Sequence, residues 1–159
     1  MTYLAKPKFR HPKLPVNELG LTRRDYEGSV STLCAGCGHD SVSAAIVQAC
    51  AELSLPPHMF AKVSGIGCSS RFPYYMNTYG IHGIHGRAPT LAMGLKVARP
   101  ELQVWVVTGD GDGLAIGGNH LIHACRRNLD VFYILMDNEI YGLTKGQVAP
   151  TTPTGSRSR

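Results

Sequence analysis

Short apolar runs alternate with stretches of helical spacing along most of this chain. Gln103-Val-Trp-Val-Val-Thr108 and Val131-Phe-Tyr-Ile-Leu-Met136 are β-rich runs. Between them lie Gly109-Asp-Gly-Asp-Gly113 and a segment of helical pattern. This order predicts strand, glycine turn, helix, strand, a βαβ unit. A third strand is predicted over Met59–Ser64, ending in Gly65-Ile-Gly67. Val42, Ala45, Ile46, Ala49, Cys50 and Leu53 recur at helical intervals and predict a helix over Ser41–Leu53. Asp40 or Ser41 is its expected cap, and Pro56-Pro57 breaks it. Pro89 suits the first turn of a further helix running to Ala98, closed by Pro100. Residues 69–88 read as an irregular stretch rich in Gly, Tyr and His, long enough to suggest a functional loop. No apolar run follows Asn138, so 142–159 reads as loop. The fold class is α/β, an open parallel sheet with helices on both faces. Three strands are few for a parallel sheet, which needs cover on both sides, so the fold is expected to be incomplete at the C-terminus.

In a parallel pair the carboxyl ends of both strands lie side by side. Asp110 then ends one strand and Asn138 the other, at the crevice where open α/β sheets bind ligands. Two oxygen ligands beside a glycine turn and a helix N-terminus suit Mg²⁺ and a diphosphate. Gly109, Gly111 and Gly113 would let backbone approach a phosphate closely. Other glycine-rich loops fit worse. Both frames of a dinucleotide fingerprint place Leu114 or Ile116 where the last glycine belongs. An EF-hand loop from Asp110 would carry Leu114 and Leu121 at ligand positions. A Walker loop would need Gly-Lys-Ser/Thr. On the glycines alone, a ligand-free βα turn explains the pattern equally well.

Charge and composition narrow the classes. The net charge of +5 resides in residues 1–24, where Lys6, Lys8, Arg10, Lys13, Arg23 and Arg24 face only Glu18. The remainder is balanced, so the basic character belongs to a short Pro-containing arm over 1–30 and the domain proper to 31–159. No basic face or nucleic-acid module is recognisable. Neither a membrane-spanning run nor a signal-type segment is evident, and a cytoplasmic location is expected.

The cysteines add a second candidate centre. Cys34-Ala-Gly-Cys37 precedes the first helix, a spacing that suits zinc, an iron–sulfur cluster or a redox dithiol alike. His39 could complete a zinc site. Cys68 follows a strand and a glycine turn, at the same sheet edge as Asp110. Three thiolates together would suit a [4Fe–4S] cluster, which takes four. Cys50 and Cys125 fall at apolar-face positions of predicted helices and are expected to be buried small hydrophobes.

Gly65-Ile-Gly-Cys-Ser-Ser-Arg71, Ile84-His-Gly-Arg87, Thr108-Gly-Asp-Gly-Asp112 and Ile140-Tyr-Gly-Leu-Thr-Lys-Gly-Gln147 together resemble the β subunit of 2-oxoacid:ferredoxin oxidoreductases. The 2-oxoglutarate branch is the most similar, and the likeness spans about residues 30–154. The resemblance implies a thiamine-diphosphate-binding fold. It implies Mg²⁺ on Asp110, Asn138 and the Ile140 carbonyl. Cofactor contacts would come from Ile66, Gly67, Cys68, Ser69, His85, Gly111, Asp112, Gly142 and Leu143, the last beside the thiazolium ring. Cys34, Cys37 and Cys68 would ligate the cluster, with a fourth cysteine in a C-terminal part. Arg71 and Lys145 become candidates to grip a substrate carboxylate, Arg71 through its bidentate fork. His120 and His123, on the helix, are expected to be structural or solvent-facing. The implied activity is oxidative decarboxylation of 2-oxoglutarate to succinyl-CoA, with electrons passing through the cluster to ferredoxin. Its partners would be an α subunit, which supplies the glutamate that thiamine enzymes need, together with ferredoxin, the 2-oxo acid and coenzyme A. The family's β subunit is longer than this chain, so a fragment is expected, with Ser156-Arg-Ser-Arg159 departing from the pattern. Two other readings stay open: a truncated, non-catalytic remnant, and a zinc or dithiol-redox α/β domain.

Overall fold

A computed structural model describes residues 12–157 of the chain. The start of the basic arm (1–11) and the last two residues of the divergent ending lie outside the described residues.

Four strands form one parallel sheet: β1 (Phe60–Ser64), β2 (Tyr79–His82), β3 (Gln103–Gly109) and β4 (Phe132–Met136), in the order β2-β1-β3-β4. The register pairs Ser64 with His82 and Val107, and Gly109 with Met136. Side chains alternate across the strands and feed two cores. Phe60, Trp105, Val107, Ile134 and Met136 pack toward α1 (Gly38–Glu52) with Ile46, Val47 and Cys50. Ala61, Val63, Val104, Val106 and Tyr133 pack on the opposite side with Ala88 and Ala92 of α3 (Ala88–Ala98). A short helix α2 (Phe72–Tyr75) leads into β2, and α4 (Gly118–Arg127) lies beside α3. The α/β sheet with helices on both faces is therefore as the hydrophobic pattern predicts. Trp105 sits between Phe60 and Phe132, each ring centroid 4.8 Å away, so one aromatic row crosses β1, β3 and β4.

Three differences have physical reasons. The stretch 69–88 holds α2 and β2. β2 reads Tyr-Gly-Ile-His and all four of its residues are exposed, so it carries no apolar run to detect. Fully buried Lys62 holds its start, donating to Thr78 O (2.8 Å), Thr78 Oγ1 (2.7 Å) and Tyr79 O (3.3 Å). Second, the 142–159 loop contains β6 (Gln147–Val148), paired antiparallel with β5 (Ile140–Tyr141). Third, among the described residues of the 1–30 arm, Thr22 and Tyr26 are buried. Tyr26 is fully buried in the α1 core, donates its hydroxyl to Leu55 O (2.8 Å) and accepts from Asn17 Nδ2 (2.9 Å).

α1 begins three residues earlier than its polar cap candidates suggest, with Cys37 at the cap position. Cys50 is buried as expected, but Cys125 is exposed, because none of the residues of α4 is buried. His120 and His123 are half-buried on the same helix. Among the described residues no helix is long and apolar enough to cross a membrane.

Candidate active site

The chain runs from β1 to β2 on one side and from β3 to β4 on the other, so the connections after β1 and β3 diverge in opposite directions. The carboxyl ends of β1 and β3 thus flank a topological switch point, where open sheets form a crevice. The turns after all four strands meet there. Gly65–Cys68 follows β1, His85 follows β2, Gly109–Asp112 follows β3, and Asn138–Leu143 follows β4. They wall a cleft of about 360 Å³, open mouth included. Ile66, Gly67, Cys68, Ser69, His85, Gly111, Asp112, Gly142 and Leu143 all line it, together with Asp110, Asn138 and Ile140. Arg71 and Lys145 do not line the wall. Arg71 donates to Thr32 Oγ1, outside the cleft. Lys145 is exposed in the β5–β6 turn at φ 78°.

Asp112 is buried beneath the cleft and binds the turns to one another. Its Oδ1 accepts from Ile66 N (3.1 Å), Gly86 N (2.7 Å) and His85 Nδ1 (2.5 Å), and its Oδ2 accepts from Thr108 Oγ1. One carboxylate therefore joins the loops after β1 and β2 to the end of β3. A carboxylate only accepts, so His85 presents Nδ1–H to Asp112 and keeps Nε2 for the cleft. Several glycines of these turns are also required by packing. A Cβ on Gly65 would lie 2.1 Å from Asp112 Oδ2. One on Gly111 would strike the Tyr141 ring at 2.5 Å, and one on Gly113 would lie 2.8 Å from Tyr133 Oη. The backbone after Asp110 winds as a π-helical turn (Gly111–Ile116), closed by Gly117 N donating to Asp112 O (2.8 Å). Such wide turns occur most often at functional sites.

Asp110 is also buried, but its surroundings differ. One terminal amide atom of Asn138 lies 3.1 Å from Asp110 Oδ1 and 2.9 Å from Ile140 O. With its nitrogen inward, the amide donates to both oxygens. With its oxygen inward, three oxygens converge, an arrangement that only a cation would hold together. That donor set fits Mg²⁺, which favours oxygen ligands with few carboxylates. Asp110 Oδ2 meets a residue that sequence reasoning overlooked. Thr151 Oγ1 lies 2.7 Å from it and 2.9 Å from Asp137 Oδ1. Tyr141 was missed too; its hydroxyl donates to Gly111 O (2.9 Å) and its ring stands edge-on to His85.

The cysteines are drawn together less closely. Cys37 Sγ lies 3.4 Å from His39 Nδ1. Burial, then the neighbouring thiols of Cys37 and Cys34, push the Cys68 thiol up, against the Arg71 charge and the Leu143 N–H. Burial depresses the pKa of His39, opposed by Asp110 and Asp40. Yet among the described residues no three His, Cys, Asp or Glu side chains are gathered to hold a metal ion. Cys34 is exposed on the turn before α1, and Cys37 and Cys68 are half-buried.

Comparison with known proteins agrees with this geometry. The 2-oxoglutarate oxidoreductase subunit KorB of Mycobacterium tuberculosis is 59% identical over 122 residues, which cover 77% of this chain and 33% of that protein. The 2-oxoglutarate synthase subunit KorB of Methanocaldococcus jannaschii is 51% identical over 125 residues, covering 79% and 46%. The chain thus spans less than half the length of these curated relatives. A solved structure, 2-oxoglutarate:ferredoxin oxidoreductase from Magnetococcus marinus with 2-oxoglutarate, coenzyme A and succinyl-CoA bound, superposes with a TM-score of 0.85 at 46% identity. It covers 93% of this chain and 50% of that one. Residues 65–159 match the model of the thiamine pyrophosphate enzyme C-terminal TPP-binding domain. By fold, by the convergence of its strand ends and by this match, the chain belongs to the thiamine pyrophosphate enzyme family.

Proposed function

We propose that this chain is the thiamine-diphosphate-binding part of a 2-oxoacid:ferredoxin oxidoreductase acting on 2-oxoglutarate. The observation that carries the reading is the meeting of Asp110 Oδ1, the Asn138 amide and Ile140 O at the switch point. These groups would hold Mg²⁺ and, through it, a diphosphate. When bound, the cofactor supplies an electron sink for loss of carbon dioxide from a 2-oxo acid. The chain's own residues bind and orient. Ile66 and Leu143 give the cleft apolar surface, and His85 offers Nε2 to the ligand while Asp112 fixes its ring. Cys34, Cys37 and Cys68 would supply three of the four thiolates of a [4Fe–4S] cluster leading toward ferredoxin. The fourth thiolate would come from outside these residues. The names and bound molecules of the relatives support the 2-oxoglutarate preference and the use of coenzyme A, and the β-subunit resemblance supports an α-subunit partner.

The test is calorimetric titration of the protein, in its native assembly, with thiamine diphosphate at varied Mg²⁺. Saturable binding that disappears on chelation of Mg²⁺ is expected. Absence of binding, or binding indifferent to Mg²⁺, would sink the reading. Turnover compared across several 2-oxo acids, with coenzyme A and a low-potential acceptor, then identifies the substrate; faster turnover of pyruvate than of 2-oxoglutarate would remove the substrate assignment alone.

A further inference from the structure

Resting on the reading of Asp110 as a Mg²⁺ ligand, we infer that Thr151 is a positioning residue that makes the site selective for Mg²⁺ over Ca²⁺. Thr151 belongs to the turn Ala149-Pro150-Thr151-Thr152 that follows β6. This turn is closed by Ala149 N donating to Thr152 Oγ1 (2.8 Å) and Thr152 N donating to Ala149 O (3.1 Å). Thr152 Oγ1 also donates to Glu139 O, which fastens the turn to the segment after β4. Thr151 is thereby held against Asp110 Oδ2, while Asn138 faces Oδ1 of the same carboxylate.

A hydroxyl has one proton, and Thr151 Oγ1 faces two carboxylates. The buried one takes it. Asp110 is 1% exposed, so its Oδ2 has no solvent donor, and leaving a buried acceptor unanswered is costly. Asp137 is exposed, already accepts from Glu139 N (2.9 Å), and has water as an alternative. With Oδ2 engaged, Asp110 offers a cation only Oδ1, the oxygen that also faces Asn138 and Ile140. Mg²⁺ is satisfied by single-oxygen carboxylate ligation at short distance, whereas Ca²⁺ takes more oxygens and often both from one carboxylate. Thr151 thus removes the second oxygen that Ca²⁺ would use. Asp137 lies on the far side of the same hydroxyl and is kept from joining as a second carboxylate.

The experiment titrates Mg²⁺ and Ca²⁺ separately into the native assembly at saturating thiamine diphosphate. The readout is the half-saturating cation concentration, followed by calorimetry, so catalysis is not needed. Thr151→Val is expected to lower the Mg²⁺-over-Ca²⁺ preference by about tenfold, the scale on which outer-shell partners tune metal sites. Thr151→Ser, which keeps the hydroxyl, is expected to retain the preference. Thr151→Ala removes the hydroxyl with less bulk and is measured in parallel in case the valine variant fails to fold. An unchanged preference in a folded Val or Ala variant overturns the inference, as does a serine variant that loses it. A wild-type protein that binds neither cation overturns the proposed function itself, a separable result.

Discussion

Asp110 and Asp112 stand two residues apart in one glycine turn, both buried, and their oxygens are satisfied by opposite means. Around Asp112 the chain supplies every partner: two backbone N–H groups, an imidazole and a hydroxyl. Around Asp110 the chain supplies one hydroxyl, and the other oxygen faces an amide and a carbonyl that could equally be ligands. The first arrangement is complete in itself and joins the loops after β1 and β2 to the end of β3. On the proposed reading, a cation would complete the second. A buried carboxylate is therefore not a site marker by itself; what matters is whether protein donors already occupy its oxygens.

The comparison can be broken at either end. The largest effect is expected from Asp112→Ala. It orphans Ile66 N, Gly86 N and the Thr108 hydroxyl, and urea unfolding should show a loss of about 3 kcal/mol or more. A loss under about 1 kcal/mol would refute its role as the joint of the site. Gly65→Ala attacks the same joint sterically and is expected to cost about 1–3 kcal/mol in the same measurement.

Lys62 sharpens the contrast, because it too is a buried charge answered only from within. Burial pulls its pKa from 10.5 down to about 7, opposed by Cys50. The unfolded chain then binds more protons than the folded one above pH 7, so stability should rise with pH, by up to about 1.4 kcal/mol per unit. The clean window is pH 7 to 9. Above 9.0 the Cys50 thiol, pushed up to about 11 by burial, acts with the opposite sign. Lys62→Met should flatten the slope in that window; an equally steep slope in the variant would remove Lys62 as its source.

Asp110→Asn is expected to have the smallest effect on the ligand-free fold, less than about 1 kcal/mol, since an amide can pair with Asn138 and keep an oxygen for Thr151. Any rise in melting temperature on adding Mg²⁺ and thiamine diphosphate should vanish in this variant. Were that rise to persist, Asp110 would not be the cation's carboxylate.

Much of this was readable in the chain. The runs ending at Thr108 and Met136 are continuous and apolar, as buried parallel strands must be. Their parallel pairing alone brings the segments of Asp110 and Asn138 to one edge. β2 was hidden because an exposed edge strand needs no apolar run. Thr151 was hidden because hydroxyl residues in a loop carry no periodic signal. The glycines alone could not identify a ligand, since a crowded carboxylate or an aromatic ring demands glycine just as a phosphate does. Cys125 misled because helical apolar spacing shows that a face exists without showing that anything covers it.

Trp105 is the chain's only tryptophan, and its indole stands in the aromatic row that links three neighbouring strands. Its fluorescence is therefore a built-in gauge of the sheet's centre. Loss of pairing between β1, β3 and β4 must change the emission, whereas rearrangements confined to the β5–β6 hairpin leave the indole's ring neighbours in place. Loosening of the scaffold and adjustment of the binding loops can be told apart in one unlabelled sample.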